Sequence, residues 1–296
     1  MRRRVLIIAN PSAGRAGSVR KLGKVVAALE RSGCGVAVQH AGPIVGDVER
    51  LAREVDTDCD VVVAAGGDGT VNAVVNGLAA VPHGRTIPFA VLPLGTVNLL
   101  AREIGLPSRS ERLAEIIAHG PARPIWPGLV GERLFLVVAS SGFDAETVSA
   151  VDPAFKARFG RLAVFVAGIR RLCDRPLGRC VVRIGSDEYR PSIAIVAKGH
   201  YYAGSFVVAP KASIFEPDLH VALLPSDRFS SVLRYAFGLI SGTLSQMHDV
   251  TIRQCRQVWI EPESPAAGPV QSDGEIIARL PVNIRVAEKP MLVVCQ

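Results

Sequence analysis

Apolar runs of strand length alternate with amphipathic stretches along the first part of the chain. Val5 to Ala9 is a short apolar run closed by Asn10-Pro11, and it reads as a first strand. A loop of turn formers follows. Ser18 then reads as the cap of a helix with Leu22, Val25, Val26 and Leu29 on one face, stopped at Arg31-Ser32-Gly33. Gly35 to Gln39 alternates apolar and polar positions as a second strand, and Asp47 to Val55 has helical spacing. The β-branched run Val61 to Val63 predicts a buried strand. It runs into Gly66-Gly67-Asp68-Gly69-Thr70, after which Val71, Val74, Val75 and Leu78 recur at the period of a helix. Ile87 to Leu92 predicts another strand, Val97 to Ile104 a short helix, and Arg109 to His119 a further helix. Regular alternation of this kind implies an α/β domain, with a mostly parallel sheet and helices on both faces. Ligands of such sheets sit at the carboxyl ends of the strands. The loops at Asn10, Gly66 and Gly95 are therefore expected to converge.

The texture changes between Pro121 and Pro127. Beyond it the pattern is one of short strands: Leu134 to Ala139, Cys180 to Ile184, Ser192 to Ala197, Phe206 to Ala209, Leu219 to Leu224, Val250 to Arg253, Val258 to Glu261 and Val282 to Val286. This predicts a β-rich, sandwich-like second domain. Two helices interrupt it, Pro153 to Cys173 and Phe229 to Leu244. The first carries Phe155, Phe159, Leu162, Phe165, Val166 and Ile169 among arginines and a lysine. It reads as an amphipathic helix packed on its own domain, with a basic flank able to meet a membrane surface. The expected domains are 1–125 (α/β) and 126–296 (β-rich), with the final strand able to pack back on the first.

Composition narrows the classes. Of 296 residues, 49% are hydrophobic and 21% charged, which is a folded globular chain. A net charge of +7 suits anionic nucleotides or acidic lipid headgroups. Few aromatics and no basic–aromatic alternation argue against nucleic acid. The six cysteines lack CxxC spacing and the six histidines lack ligand spacing, so packing thiols are expected rather than a disulfide frame or a zinc site. The opening MRRRVLIIANPSAG imitates an export signal, but its apolar run is too short. No apolar run is long enough to span a membrane. A cytoplasmic protein is expected.

Chemistry concentrates at Gly66 to Thr70. Glycines let backbone amides approach a ligand without a Cβ in the way, and the first turn of a helix presents N–H groups and a positive dipole end. That corner suits a phosphate. An aspartate beside phosphate implies a cation as well, which makes Asp68 a candidate near a metal. Far downstream, VQSDGEII places Asp273 and Glu275 in a tight turn between strand-like runs, where a carboxylate could orient and deprotonate a hydroxyl or simply be solvated.

Residues 66–78, Gly95-Thr96-Val97-Asn98 with Ala101-Arg102, and Asn10-Pro11-Ser12-Ala13-Gly14 together resemble the diacylglycerol kinase catalytic family. The resemblance is to its bacterial lipid kinase branch, related to sphingoid-base kinases, and it extends to Asp273-Gly274-Glu275. GGDGT alone is shared with NAD kinases; the extension through Asn72 and Val74 to Leu78 is more specific. The resemblance implies an α/β nucleotide-binding domain followed by a β-rich domain, and transfer of the γ-phosphate of ATP, with Mg2+, to a hydroxyl of diacylglycerol or a related lipid. It implies that Asn10, Ser12, Gly14, Gly66, Gly67, Asp68, Gly69, Thr70, Asn72, Gly95, Thr96 and Asn98 line or support the nucleotide site, with Asp68 near magnesium. It further implies that Glu275 or Asp273 is the general base. The lipid would come from a membrane, so transient peripheral attachment is expected, and a homodimer is compatible.

The departures from the family pattern fall at acidic positions. Ala73 stands where glutamate is usual, and Leu99-Leu100 where Asp-Phe is common. No threonine occurs near Gln39 to Gly42, where the family often has one against the nucleotide. In the second domain Glu216-Pro217 stands where the family carries an Asp-Gly pair at a structural magnesium, and His220 replaces a further aspartate. Glu216 is the candidate carboxylate for that metal. Another lipid alcohol as acceptor, an NAD kinase, and a non-catalytic nucleotide- or lipid-binding regulator are the alternatives.

Overall fold

The computed structural model describes residues 3–11, 17–142, 179–263, 268–273 and 275–296. The chain divides into two compact units, Met1–Trp126 with Glu288–Gln296, and Pro127–Ala287. The terminal segment thus belongs to the first unit.

The first unit is built from β1 (Arg4–Ala9), α1 (Gly17–Arg31), β2 (Gly35–His40), α2 (Asp47–Arg53), β3 (Val61–Gly66), α3 (Asp68–Ala79), β4 (Phe89–Pro93), α4 (Leu99–Glu103), α5 (Ser110–His119) and β5 (Ala122–Ile125). Its six-stranded sheet has the order β2-β1-β3-β4-β20-β5, with β20 at Met291–Val294. Pairing is parallel from β2 through β20, and β5 runs antiparallel to β20. Helical crossovers make this order natural, because a parallel neighbour needs the chain to return across a face.

All six residues of β3 are buried. One face sends Val61, Val63 and Ala65 against Val25 and Leu29 of α1 and Leu113, Ile116 and Ile117 of α5. The alternate residues Val62 and Ala64 point to the other face. There α2 and α3 approach closely: a Cβ on Gly77 would collide with the Glu49 carbonyl. Each fully buried valine of β3 contributes about 1.5–3 kcal/mol relative to exposure, so a polar substitution here would undo the sheet centre.

The second unit is a sandwich of two antiparallel six-stranded sheets. One has the order β10-β9-β16-β19-β6-β7, using β6 (Gly128–Val130), β7 (Arg133–Phe135), β9 (Cys180–Ile184), β10 (Asp187–Tyr189), β16 (Gln257–Pro262) and β19 (Val282–Val286). The other has the order β15-β14-β11-β8-β17-β18. It uses β8 (Val138–Gly142), β11 (Ile193–Ala197), β14 (Leu219–Leu224), β15 (Thr251–Cys255), β17 (Pro269–Ser272) and β18 (Glu275–Arg279). A small ribbon pairs β12 (Tyr201–Tyr202) with β13 (Phe206–Val207). Val182, Val258, Ile260 and Ile284 of the first sheet meet Ala194, Val196, Val221, Leu223 and Val270 of the second in one core. Helix α6 (Phe229–Ser241) ends where Gly242 takes a left-handed conformation and Thr243 N–H returns to the Gly238 carbonyl at 2.8 Å.

Both fold classes expected from the pattern are present. Some local details differ. Helix α1 begins at Gly17, so Ser18 lies inside its first turn rather than capping it. Helix α4 starts at Leu99 and not Val97, because Asn98 adopts φ 52°, ψ 60° and cannot continue a right-handed helix. Strands β5, β6 and β10 do not appear in the expected set, since their three or four residues are too few for a period to show, whereas β20 is the final strand expected to pack back on the first unit. The expected helix Pro153 to Cys173 lies outside the described residues.

Candidate functional site

Three loops at the carboxyl ends of β1, β3 and β4 meet. The Asn10 N–H donates to the Ala65 carbonyl at 3.0 Å, and the Leu94 N–H donates to the Gly66 carbonyl at 2.9 Å. The Asn10 side-chain amide donates to Thr70 Oγ1 at 3.2 Å, which ties the first loop to the opening turn of α3. Asn72 and Asn76 are buried in α3, and Asn76 donates to the Asn72 carbonyl at 2.9 Å.

The glycines are required by crowding, not by unusual dihedrals. A Cβ on Gly66 would sit 2.5 Å from the Thr70 Cβ, and a Cβ on Gly95 would sit 2.6 Å from the Gly67 Cα. The two glycine loops therefore touch backbone to backbone. Gly67 caps α3 in an extended conformation without a side-chain bond, and the first intrahelical bond runs from Val71 N–H to the Gly67 carbonyl at 3.1 Å. The amides of Gly69 and Thr70 precede that bond and so have no intrahelical acceptor. Together with the dipole end they form a surface for an anion.

Asp68 has a defined structural partner. Its Oδ1 accepts the Leu99 N–H at 2.5 Å, so the carboxylate braces the first turn of α4. Asn98 folds back on its own loop, accepting the Gly95 N–H at 3.0 Å and donating to the Gly95 carbonyl at 2.7 Å. Thr96 is exposed beside it. Ser12 and Gly14 lie outside the described residues.

One group at this corner had no signal in the sequence. Lys21, on α1, donates from Nζ to the Pro93 carbonyl at 3.1 Å, which places an ammonium at the carboxyl end of β4. Burial pushes its pKa down from the ordinary lysine value. A lysine on the polar side of an amphipathic helix reads as solvated, which is why it was missed.

In the second unit, Asp273 and Glu275 separate into different environments. Ser272 pairs with Glu275 across the β17–β18 hairpin, and Asp273 takes a left-handed φ of 46°. The Asp273 carboxylate accepts Leu136 N–H at 3.1 Å through Oδ2 and Val138 N–H at 2.9 Å through Oδ1, while its own N–H donates to the Val138 carbonyl at 3.0 Å. It is held as a clasp between the hairpin and β8. Glu275 is exposed at the start of β18.

Glu216 is also exposed, and it is the main-chain carbonyl of this residue that is engaged. Lys198, at 0% exposure, donates from Nζ to the Glu216 carbonyl at 2.6 Å and to the Ser213 carbonyl at 2.9 Å. Nearby His220 is buried with Nε2 at 3.8 Å from Asp218, and burial lowers its pKa from the usual histidine value. Among the described residues no group of three or more His, Cys, Asp or Glu is arranged to hold a metal ion. Cys34, Cys59, Cys180, Cys255 and Cys295 are free thiols, and burial pushes Cys180 and Cys255 up to about 11, which fits packing rather than nucleophilic roles. Among the described residues no helix is long and apolar enough to cross a membrane.

Comparison with known proteins agrees with this anatomy. Residues 4–130 match the diacylglycerol kinase catalytic domain, and residues 137–295 match the YegS C-terminal NAD kinase beta sandwich-like domain. A diacylglycerol kinase of Bacillus subtilis (strain 168) is 36% identical over 172 residues, covering 57% of this chain and 56% of that protein. A diacylglycerol kinase of Mycobacterium tuberculosis (strain ATCC 25618 / H37Rv) is 28% identical over 292 residues, covering 95% of this chain and 91% of that protein. A crystal structure of a diacylglycerol kinase from Bacillus anthracis str. Sterne superposes with a TM-score of 0.79 at 22% identity, covering 99% of this chain and 97% of that one, which establishes the shared fold. The chain belongs to the family of lipid kinases that joins a diacylglycerol kinase catalytic domain to a YegS-type β-sandwich.

Proposed function

We propose that the protein transfers the γ-phosphate of ATP to a hydroxyl of diacylglycerol or a related membrane lipid. The observation that carries this is the close approach of the Gly67 and Gly95 backbones beside the first turn of α3, where a Cβ on Gly95 would sit 2.6 Å from the Gly67 Cα. Main-chain amides there face a phosphate chain without obstruction, as an ATP site requires. Asn10, Thr70, Asn72 and Asn98 hold the loops. Asp68 keeps α4 in register and lies where the phosphates arrive, and Lys21 adds positive charge. Magnesium carried in with the nucleotide neutralises phosphate charge when bound.

The two downstream carboxylates divide the remaining work. Asp273 has both oxygens committed to backbone amides and serves as a positioning residue. Glu275, exposed on the adjacent strand, takes the proton of the lipid hydroxyl. The hydroxyl oxygen then bonds to the γ-phosphorus, the bond to the β–γ bridging oxygen breaks, and ADP leaves with that electron pair.

Such a substrate is drawn from a bilayer, so the protein attaches transiently to membranes. Helix α6 supports this by turning Phe229, Leu233, Phe237 and Ile240 outward at 52%, 47%, 68% and 64% exposure, with Arg228 just before them.

Incubation with labelled ATP, magnesium and a panel of diacylglycerols, long-chain bases and polyprenols tests the activity. Lipid-dependent transfer is expected, and ATP binding by the folded protein without transfer to any lipid would instead support a non-catalytic regulator. Glu275→Gln should lower kcat by roughly 10²–10⁴ while leaving ATP affinity unchanged. An equal loss from Asp273→Asn at unchanged stability would reverse the two roles.

A further inference from the structure

The family resemblance places a structural magnesium at the turn around Glu216, and the residues present do not fit one. Glu216 is exposed, Pro217 follows it, and among the described residues no group of three His, Cys, Asp or Glu side chains is arranged to hold a metal ion. The carbonyls that the turn directs inward, those of Ser213 and Glu216, are already bound by the Lys198 ammonium at 2.9 and 2.6 Å. We propose that Lys198 is a built-in cation that replaces a metal ion in this turn, so that the second unit folds without any divalent ion.

The chemistry of the site supports the exchange. Carbonyl oxygens converging on one point repel each other and need a positive centre or several donors between them. An ammonium offers a compact charge and three donors, which suits a carbonyl cage better than a flat guanidinium. Lysine is almost never fully buried unless its charge is matched, and Lys198 is at 0% exposure. It sits just past β11, whose pairing with β8 and β14 fixes its backbone, so the tether is rigid. The surrounding changes are coherent. Proline at 217 removes an N–H and fixes φ, and His220, in place of a further carboxylate, avoids adding negative charge beside a cation that is already paired. A hexahydrated divalent ion would have to displace a tethered ammonium whose effective concentration at the cage is far higher than that of any free ion.

The test is thermal unfolding of the full chain, without nucleotide, in EDTA and then in millimolar Mg2+ or Ca2+. The expected Tm is the same in all three to within about 1 °C, since an ion that binds only the folded state stabilises it by RT ln(1 + [ion]/Kd) and so raises Tm. A rise of several degrees on adding either ion would overturn the proposal. Lys198→Ala supplies the second arm. Loss of the ammonium takes the cation away from the Ser213 and Glu216 carbonyls, leaving Ser213 only the Glu216 N–H at 3.2 Å, so its Tm should fall by several degrees, and failure to fold counts as the same outcome. A Lys198→Ala protein as stable as the parent in EDTA would equally overturn it.

Discussion

Two turns of this molecule present main-chain groups of opposite polarity, N–H at one and carbonyl at the other. In the first unit, the Gly66–Thr70 corner aims N–H groups outward from the start of α3 and is suited to an anion that arrives from solvent. In the second unit, the turn at Ser213–Glu216 aims carbonyls inward at a cation the chain itself supplies. The difference teaches where recognition is written. Loops that pack this closely leave no room for a Cβ, so the corner needs glycine at positions 66 and 95. A carbonyl cage demands nothing of its side chains, because every residue carries the same oxygen.

The strongest way to break the comparison is to give the anion corner a side chain. Gly95→Ala places a methyl 2.6 Å from the Gly67 Cα, so the two loops must part. A displacement near 1 Å at a phosphoryl-transfer site costs roughly 10²-fold in kcat/KM. ATP-dependent turnover is the measurement, with Gly23→Ala as control. Gly23 lies mid-helix in α1 with nothing within 4 Å of its added Cβ, and alanine there should stabilise by about 0.5–1 kcal/mol without touching activity. Equal activity in both variants would show that the close approach is incidental.

That asymmetry also governs how much is legible in the sequence. The parallel sheet, the sandwich and the glycine corner could all be read, because period-2 and period-3.6 patterns and obligatory glycines are properties of side chains. The Asp-Gly hairpin was legible for the same reason, since Asp273 must adopt a positive φ. What could not be read was which carboxylate of the pair was already spoken for, because its partners are the amides of Leu136 and Val138, more than a hundred residues earlier. Lys21 and Lys198 were hidden likewise. Each donates to main-chain carbonyls far along the chain, and a lysine on a helix or at a strand end looks solvated. The short β5 is obscured by its proline and its length.

The two aspartates offer a second, smaller test. Asp68 uses Oδ1 to hold Leu99, and Asp273 uses both oxygens to hold two amides. Asparagine keeps one acceptor and turns the other into a donor. Asp68→Asn can therefore still brace α4, and its fold should match the parent in chemical denaturation, whereas Asp68→Ala removes the brace and should abolish transfer. Asp273→Asn must set an NH2 against a backbone N–H, and a loss of about 1.5–3 kcal/mol is expected. If Asp68→Asn were the less stable of the two, the clasp in the second unit would not be the tighter one.

The smallest effect concerns the charge of the carbonyl cage. His220 faces Asp218, Lys198, His200 and Lys211; burial is the main cause of its lowered pKa, Asp218 opposes it, and Lys198, His200 and Lys211 reinforce it. With the folded value below 6.5, the unfolded chain binds more protons in the interval between the two, so stability rises with pH there and is lost as pH falls from about 6.5 toward the folded value. Denaturant midpoints on either side of that interval measure the slope. His220→Asn should flatten it. A stable Lys198→Met protein should reduce it as well, because one of the positive charges that disfavour protonation is gone, even though that variant is weaker at every pH. An unchanged slope in Lys198→Met would mean that the group in the cage carries no charge, and the likeness to a metal ion would fail at its central point.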